Sequence, residues 1–318
     1  MTRTVTRAVT LGPDVLEGYA RFSLYNSPYP AHDDGSAIDL YPGTLRDGRT
    51  TEAPSPVSGT VLETRTVRAP PKPYAPEHDH LLLIECTAPA SVEGLVARVL
   101  HVEPAVEAGA TVEAGDSLGR LVRAGFFAPW VDNHLHVGFR TADQHLYRAT
   151  GSLPIELGLE VTPLEWDGTG TVVETGETYA VLDAPRHLDP GNGFVGIAAD
   201  GGGVLDGGIP HYDGGGVLSR DDDQNRRNGK VEGRHEGDGE CRRNESEVRL
   251  NDDVLGVSEG RTIAWNDVTV TVDGTPVTGL SCFCARDGGF GAKLICPDRT
   301  FDVGSDVRVG VERSGDLE

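Results

Sequence analysis

Lysine is almost missing from this chain of 318 residues, and its scarcity narrows what the protein can do. Lys72, Lys230 and Lys293 are the only lysines, and 50 acidic residues outweigh 28 basic ones to give a net charge of −22. Proteins that bind nucleic acids usually present a basic face, so this balance indicates that the chain has no nucleic-acid partner. Strong negative charge with little lysine is typical of proteins that stay hydrated in molar salt, and it predicts a halophilic archaeal source.

Long apolar runs are missing as well. The chain has no run of about 18 apolar residues, and its N-terminal segment MTRTVTRAVTLGPDVLEGYA has no apolar core of signal-peptide length. We therefore expect no membrane partner and a cytoplasmic location. The five cysteines are odd in number and scattered, which argues against a disulfide framework. Cys282, Cys284 and Cys296 could bind a metal with a fourth ligand, but we interpret them as buried structural residues, because zinc sites usually show Cys-x-x-Cys pairs.

Short strand-like runs dominate the chain, and glycine, proline and aspartate separate them. This pattern predicts an all-β protein, a sandwich or barrel with a second small β region. We divide the chain into five parts: an N-terminal strand extension at 1–30, a strand-and-turn domain at 31–150, a β region with a glycine-rich loop at 151–218, a disordered acidic insert at 219–250 and a C-terminal β unit at 251–318. The insert is assigned because its residues are mostly charged and rarely apolar.

The clearest sign of chemistry is the pair His134 and His136 in the strand-like run NHLHVGF. Side chains alternate along a strand, so both imidazoles should lie on one face. Far upstream, His32 and Asp39 lie before and within the apolar run AIDLY. Two histidines and one carboxylate, with a spare histidine beside them, suit a catalytic zinc ion, which takes three protein ligands and keeps one position open.

A second pattern surrounds these residues. The segment SPVSGTVLE (Ser55–Glu63) is followed by VEAGATVEAGDSLGRLV (Val106–Val122). The pair resembles the barrel-sandwich hybrid that is shared by biotinyl and lipoyl carriers and by lysostaphin-type murein endopeptidases. A carrier needs a modifiable lysine at a hairpin tip, usually beside a methionine. The only methionine here is Met1, and no lysine lies between Lys72 and Lys230, so the carrier interpretation is disfavoured.

Residues 31–140 as a whole resemble the lysostaphin-type zinc metallopeptidases, a duplicated hybrid motif family, and the charge suggests an archaeal branch of it. The resemblance implies that His32, Asp39 and His136 bind zinc. It also implies that His134 and His101 lie beside the activated water as the catalytic pair. They would take a proton from the water or stabilise the oxyanion that forms.

The spacing of the first two ligands departs from the family pattern. That pattern places the histidine and the aspartate four residues apart, whereas His32 and Asp39 are seven apart. In an unbroken strand an odd separation would put them on opposite faces. The intervening Asp-Asp-Gly-Ser can break the strand and let His32 reach the metal. Asp33 or Asp34 could instead replace it in an oxygen-rich site, or the site could be degenerate and free of metal.

Two functions follow from these patterns. The first is a zinc-dependent hydrolase of amide or peptide bonds that acts on a peptide-like or macromolecular substrate. The alternative is a non-catalytic binding module on the same scaffold with a degenerate metal site. The altered ligand spacing and the absence of an export signal favour the alternative, since an enzyme that cuts cell-wall peptides should be exported.

Two further segments have both a plain and a functional interpretation. The run LDGGIPHYDGGG (Leu205–Gly216) is either a glycine-rich loop that joins strands or a pocket wall or lid that completes the site together with His187. A second His-x-His, formed by His78 and His80, lies in a proline-rich segment, and we expect it to be exposed to solvent.

Overall fold

The structure is a computed structural model that describes residues 8–47, 49–218 and 245–313. Its regular secondary structure is almost all strand, which confirms the predicted all-β class and is consistent with a barrel-sandwich hybrid. Most of the predicted acidic insert lies outside the described residues, and its last residues, Glu245–Leu250, form a strand. No helix within the described ranges is long and apolar enough to span a membrane.

The described part of the first half contains two one-turn helices and twelve strands. The helices are α1 (Pro13–Leu16) and α2 (Pro30–Asp33). The strands are β1 (Val9–Leu11), β2 (Arg21–Ser23), β3 (Ile38–Tyr41), β4 (Glu52–Pro54), β5 (Ser58–Arg68), β6 (His78–Ala88), β7 (Val96–Leu100), β8 (Val102–Pro104), β9 (Thr111–Val112), β10 (Ser117–Leu121), β11 (Leu135–Arg140) and β12 (Ile155–Leu157).

The described part of the second half contains fifteen strands. They are β13 (Val161–Leu164), β14 (Thr169–Thr175), β15 (Tyr179–Leu182), β16 (Phe194–Ile197), β17 (Val204–Ile209), β18 (Gly214–Leu218), β19 (Glu245–Leu250), β20 (Asp253–Glu259), β21 (Thr262–Trp265), β22 (Val268–Val272), β23 (Thr275–Val277), β24 (Gly279–Cys282), β25 (Cys284–Ala285), β26 (Lys293–Ile295) and β27 (Asp306–Arg313).

Two large sheets organise these strands. The first has ten strands in the order β13-β16-β25-β2-β3-β11-β7-β6-β5-β9, so three strands of the second half extend a sheet built mainly by the first half. The second has twelve strands in the order β19-β20-β21-β18-β17-β24-β26-β15-β14-β27-β22-β23. Strands from residues 151–218 and 251–318 alternate within it, so these two stretches of the chain share one sheet.

Residues of both halves of the chain pack into a common hydrophobic core. One buried cluster combines Phe22 and Leu40 of the first half with Phe194 and Val204 of the second, and the Phe22 and Phe194 rings lie 4.8 Å apart. Apolar burial of this kind is the main driving force for folding. The described cysteines agree with the interpretation as structural residues, because all of them are buried free thiols: Cys86, Cys282, Cys284 and Cys296.

Candidate functional site

The connection between α2 and β3 decides where His32 lies. Pro30 opens the one-turn helix that carries His32, and Gly35, with a φ of 65°, turns the chain into β3, which carries Asp39. The two side chains therefore belong to different elements, and the parity of a single strand does not apply to them. Both are buried, whereas Asp33 and Asp34 are exposed and do not join the cluster.

Strand pairing brings Asp39 and His136 together. β11 lies antiparallel to β3, with His136 directly opposite Asp39 in the register. Side chains of such a pair point to the same face of the sheet. His134 lies just before β11 and points to the same side, because its Nε2 is 3.4 Å from Asp39 Oδ2, while Leu135 between the two histidines is fully buried. The shared face predicted for the His-x-His pair is thus present.

The three atoms that could bind a metal form a compact triangle. His136 Nδ1 is 3.0 Å from Asp39 Oδ1 and 3.1 Å from His32 Nε2, and His32 Nε2 is 3.4 Å from Asp39 Oδ1. Ligands at about 2.0–2.2 Å from a tetrahedral zinc ion lie roughly 3.3 Å from one another. The donor set of two imidazole nitrogens and one carboxylate oxygen therefore fits zinc in both chemistry and spacing.

Backbone carbonyls fix the tautomers of two of the histidines. His32 Nδ1 lies 2.6 Å from the Leu24 carbonyl, and His134 Nδ1 lies 2.9 Å from the Asp132 carbonyl. A carbonyl can only accept, so both Nδ1 atoms donate and both Nε2 atoms keep a lone pair when the ring is neutral. Each free Nε2 faces the Asp39 carboxylate, which is the arrangement expected of groups prepared for a cation.

The electrostatics of the cluster centre on Asp39. Burial opposes its ionisation, but His134 and His32, together with hydrogen bonds, hold its pKa well below the usual range. Burial lowers the pKa of His134 and of His136 to about 4, although Asp39 partly offsets this effect. Both imidazoles are therefore neutral at pH 7. A metal ligand must be deprotonated, and His136 meets this condition.

His101 enters the same cluster from the turn between β7 and β8. Its ring centroid is 5.2 Å from that of His134 and 5.8 Å from that of His136. Its Nδ1 lies 2.5 Å from Oδ2 of Asp79, a carboxylate with no exposed surface. Burial opposes ionisation of Asp79, but His101 holds its pKa below the usual value.

Asp79 is the site residue that the sequence analysis missed. It lies between His78 and His80 at the start of β6, where alternation turns its side chain inward while His78 is exposed and His80 is half-buried. An acidic residue between two outward histidines in a strand was the available signal, since the middle position of such a triplet faces the opposite side. The expected solvent exposure holds for His78, whereas His80 is half-buried and the pair lies in a strand.

Aromatic residues seal the cluster. We call residues 124–131 the cap. The Phe127 ring stacks on His134 at 4.4 Å and contacts His101 edge-on at 4.7 Å. Tyr74 Oη donates a hydrogen bond of 2.7 Å to the Phe127 carbonyl, and Tyr29 Oη donates one of 3.1 Å to the carbonyl of Phe126. Two neighbouring loops therefore hold the cap closed.

The closed cap leaves the cluster almost without access to solvent. Exposure is 1% for His32 and 3% for Asp39, and only the His136 side chain, at 16%, is partly open. A surface hollow of about 620 Å³ lies nearby, and Trp130 of the cap and Asp132 are among the residues that line it. No histidine of the cluster lines this hollow, and neither does Asp39. Movement of the cap would therefore widen access to the cluster beyond the partly open edge of His136.

The glycine-rich run Leu205–Gly216 is a buried hairpin of the second sheet. β17 and β18 pair across the turn that contains His211, and the His211 ring lies 5.6 Å from Trp130. The segment is therefore neither a lid nor a wall of the hollow, and His187 instead contacts the Gly193 carbonyl. Asp206, a buried residue of this hairpin, nevertheless contacts the first half of the chain, because it accepts hydrogen bonds from Ser23 and Leu24.

Acid should destabilise the protein through His211. Burial lowers its pKa to about 4, although a backbone hydrogen bond with Ile209 partly offsets this effect. Between pH 6.5 and 4 the unfolded chain binds a proton here that the folded chain does not, so stability falls as the pH falls. We expect about 2 kcal/mol of this loss between pH 7 and pH 5. Urea unfolding at pH 7 and pH 5 measures this loss of stability. The loss should be smaller in His211→Phe than in the wild type and unchanged in His145→Phe, which replaces an exposed histidine. Equal losses in the wild type and both variants would refute this role of His211.

Comparison with known proteins gives a family match and weak structural likenesses. Residues 10–157 match the model described as the N-terminal domain of Domain of unknown function (DUF8155), and residues 162–312 match its C-terminal domain. No curated protein matches the chain. A solved structure described as a novel M23 metalloprotease, pseudoalterin, from the deep sea is 16% identical, with a TM-score of 0.27, over 45% of this chain and 74% of the other. A chain of the SpoIIQ–SpoIIIAH pore-forming complex is also 16% identical, with a TM-score of 0.25, over 43% of this chain and 85% of the other.

Proposed function

We propose that this chain, which belongs to the DUF8155 family through both of its halves, is a zinc-dependent hydrolase of amide bonds. The observation that supports the proposal is the triangle of His32 Nε2, Asp39 Oδ1 and His136 Nδ1, with sides of 3.0–3.4 Å. A structural zinc site is closed by four protein ligands, whereas three ligands with further histidines nearby are typical of a catalytic site. The substrate class that fits is a peptide or another amide-linked molecule.

The residues around the triangle have separate roles in this proposal. When bound, zinc supplies Lewis acidity toward water and toward the amide carbonyl. His101 donates a hydrogen bond from Nδ1–H to Asp79, so its Nε2 is free to accept a proton from the attacking water and later to return it to the leaving amine. His134, neutral and held by the Asp132 carbonyl, keeps a lone pair on Nε2 that faces the site beside Asp39 and can accept a proton there. Phe127 keeps bulk water away from both histidines.

A non-catalytic binding module is the second candidate, and the closed cap favours it. A cluster with 1–6% exposure at His32, Asp39, His134 and His101 holds a metal well but offers no room for a peptide. If the cap never opens, the metal would serve only to join β3, α2 and β11. The two candidates differ in whether an amide is cleaved.

Metal content and amide cleavage together test the proposal. The protein would be purified in concentrated salt without affinity histidines, and its zinc measured by elemental analysis before and after reconstitution. We expect about one zinc ion per chain. We also expect the protein to cleave some members of a broad panel of quenched-fluorescent peptides, and a chelator should abolish this cleavage. Zinc without any cleavage would favour the binding module, and a protein that takes up no zinc would overturn both the site and the proposal.

The Asp79→Asn variant separates catalysis from metal binding. It removes the carboxylate that orients His101 without touching the three ligand atoms. We expect the rate of amide cleavage to fall by about 10- to 100-fold while the zinc content stays at the wild-type level. Asp116→Asn, a carboxylate of an exposed turn, is the matched control and should leave both unchanged. An Asp79→Asn protein with full activity would show that the Asp79 carboxylate is not needed to support His101 as the base.

A further inference from the structure

We propose that Asp206, in the second half of the chain, is a positioning residue for His32. The inference rests on the proposed function, because the object that is positioned is the metal-binding triangle. Asp206 lies in β17, has no exposed surface, and is far in sequence from His32. It acts on His32 through the turn that follows β2.

The contacts run from the carboxylate to the imidazole through the backbone. Asp206 Oδ1 accepts a 2.5 Å hydrogen bond from Ser23 Oγ, and its Oδ2 accepts one of 2.7 Å from the Leu24 N–H. The Leu24 carbonyl accepts the Nδ1–H of His32 at 2.6 Å. The N–H of Tyr25, which shares a peptide group with that carbonyl, also donates toward Asp206.

The contacts around His32 resemble the hydrogen bonds that hold metal-binding histidines in other proteins, with one further residue added. A histidine that binds a metal usually donates its other N–H to a carboxylate or a carbonyl, which fixes its tautomer and orientation. Here the carbonyl of Leu24 accepts a hydrogen bond from His32 Nδ1, and the carboxylate of Asp206 holds the backbone N–H of the same residue. The carboxylate thereby fixes the backbone of Leu24 and, with it, the direction of the carbonyl that accepts from His32. The Nε2 lone pair of His32 is thereby aimed at the triangle.

The hairpin is shaped to receive this turn. Gly216 pairs with Asp206 in the register, and a Cβ at Gly216 would lie 2.2 Å from the Tyr25 ring. The missing side chain therefore leaves room for Tyr25, while Asp206 binds the backbone beside it. No cation is paired with Asp206 within the described ranges, and a buried carboxylate held only by neutral donors is costly compared with an apolar strand residue. The glycine-rich run thus serves the site from behind, through the backbone next to His32.

A pair of isosteric variants tests the inference. Asp206→Asn removes the charge that holds the turn, whereas the control Asp200→Asn changes another carboxylate of the second half that accepts two backbone N–H groups. We expect Asp206→Asn to bind zinc about 10- to 100-fold more weakly than the wild type, measured by competition with a chromophoric chelator. Asp200→Asn should match the wild type.

Nitrogen-15 NMR of the metal-free protein gives a readout that does not need zinc. In the wild type we expect His32 to populate the Nδ1–H tautomer, and in Asp206→Asn a mixture of tautomers. A folded Asp206→Asn protein with wild-type zinc affinity and an unchanged tautomer would overturn the inference. If that variant does not fold, Ser23→Ala, which leaves the carboxylate in place, should shift both readouts in the same direction by less, and no shift would overturn it. A wild type that binds no zinc would refute the proposed function, while the tautomer comparison would still decide the role of Asp206.

Discussion

Replacing His136 with alanine is expected to lower the zinc affinity of the chain by more than about 100-fold. Loss of a residue that merely supports a ligand already costs 10- to 100-fold, and this substitution removes one of three ligands. His136 Nδ1 forms two sides of the triangle, so the remaining pair, His32 and Asp39, would hold the ion with two atoms only. Zinc at a thousand times its dissociation constant stabilises a folded protein by about 4 kcal/mol, so most of the zinc-induced rise in melting temperature should vanish as well.

His78→Ala is the matched control for this experiment. His78 is an exposed histidine of the same sheet, and its removal should change neither the affinity nor the thermal shift. Elemental analysis and calorimetric melting with and without zinc provide the two measurements. A His136→Ala protein that keeps one zinc with wild-type affinity would place the metal elsewhere and remove the basis of the proposed function.

Replacing Phe127 with alanine is expected to speed the removal of zinc by a chelator at least about tenfold. The ring packs on His134 and His101 and is almost fully buried, so its loss opens the cap directly over the cluster. Truncation of a buried phenylalanine typically costs about 3–5 kcal/mol, and each 1.4 kcal/mol taken from the cost of opening is worth a factor of ten in rate. Stopped-flow mixing of zinc-loaded protein with a chromophoric chelator measures this rate.

Tyr74→Phe provides a milder version of the same test. It removes only the hydrogen bond to the Phe127 carbonyl, worth about 1 kcal/mol, so the release rate should rise about fivefold. Tyr147→Phe loses a comparable hydrogen bond, to Glu63 on the surface, and should leave the rate unchanged. If all four proteins released zinc at one rate, the cap would not control access, and the argument for a closed binding module would fail with it.

The sequence predicted those features that depend on local pattern. Alternation of side chains along a strand placed His134 and His136 on one side, and the cross-strand register then set His136 opposite Asp39. Scattered glycine and proline between short apolar runs predicted the all-β class for the same local reason. Alternation also contained the signal for Asp79, but its partner, His101, lies across two paired strands and could not be read from the sequence.

The sequence by itself therefore determined the class of fold, the acidic surface and the residue types of the site, because composition and two-residue periodicity are local properties. Only the tertiary structure decided that His32 reaches Asp39, since a one-turn helix and Gly35 replace the strand that the spacing argument assumed. It also decided that the cap closes over the cluster and that Asp206 holds the turn behind His32. The contact between Asp206 and Leu24 joins residues that are far apart in the chain, and it forms because burial of apolar surface in the shared core brings both halves together.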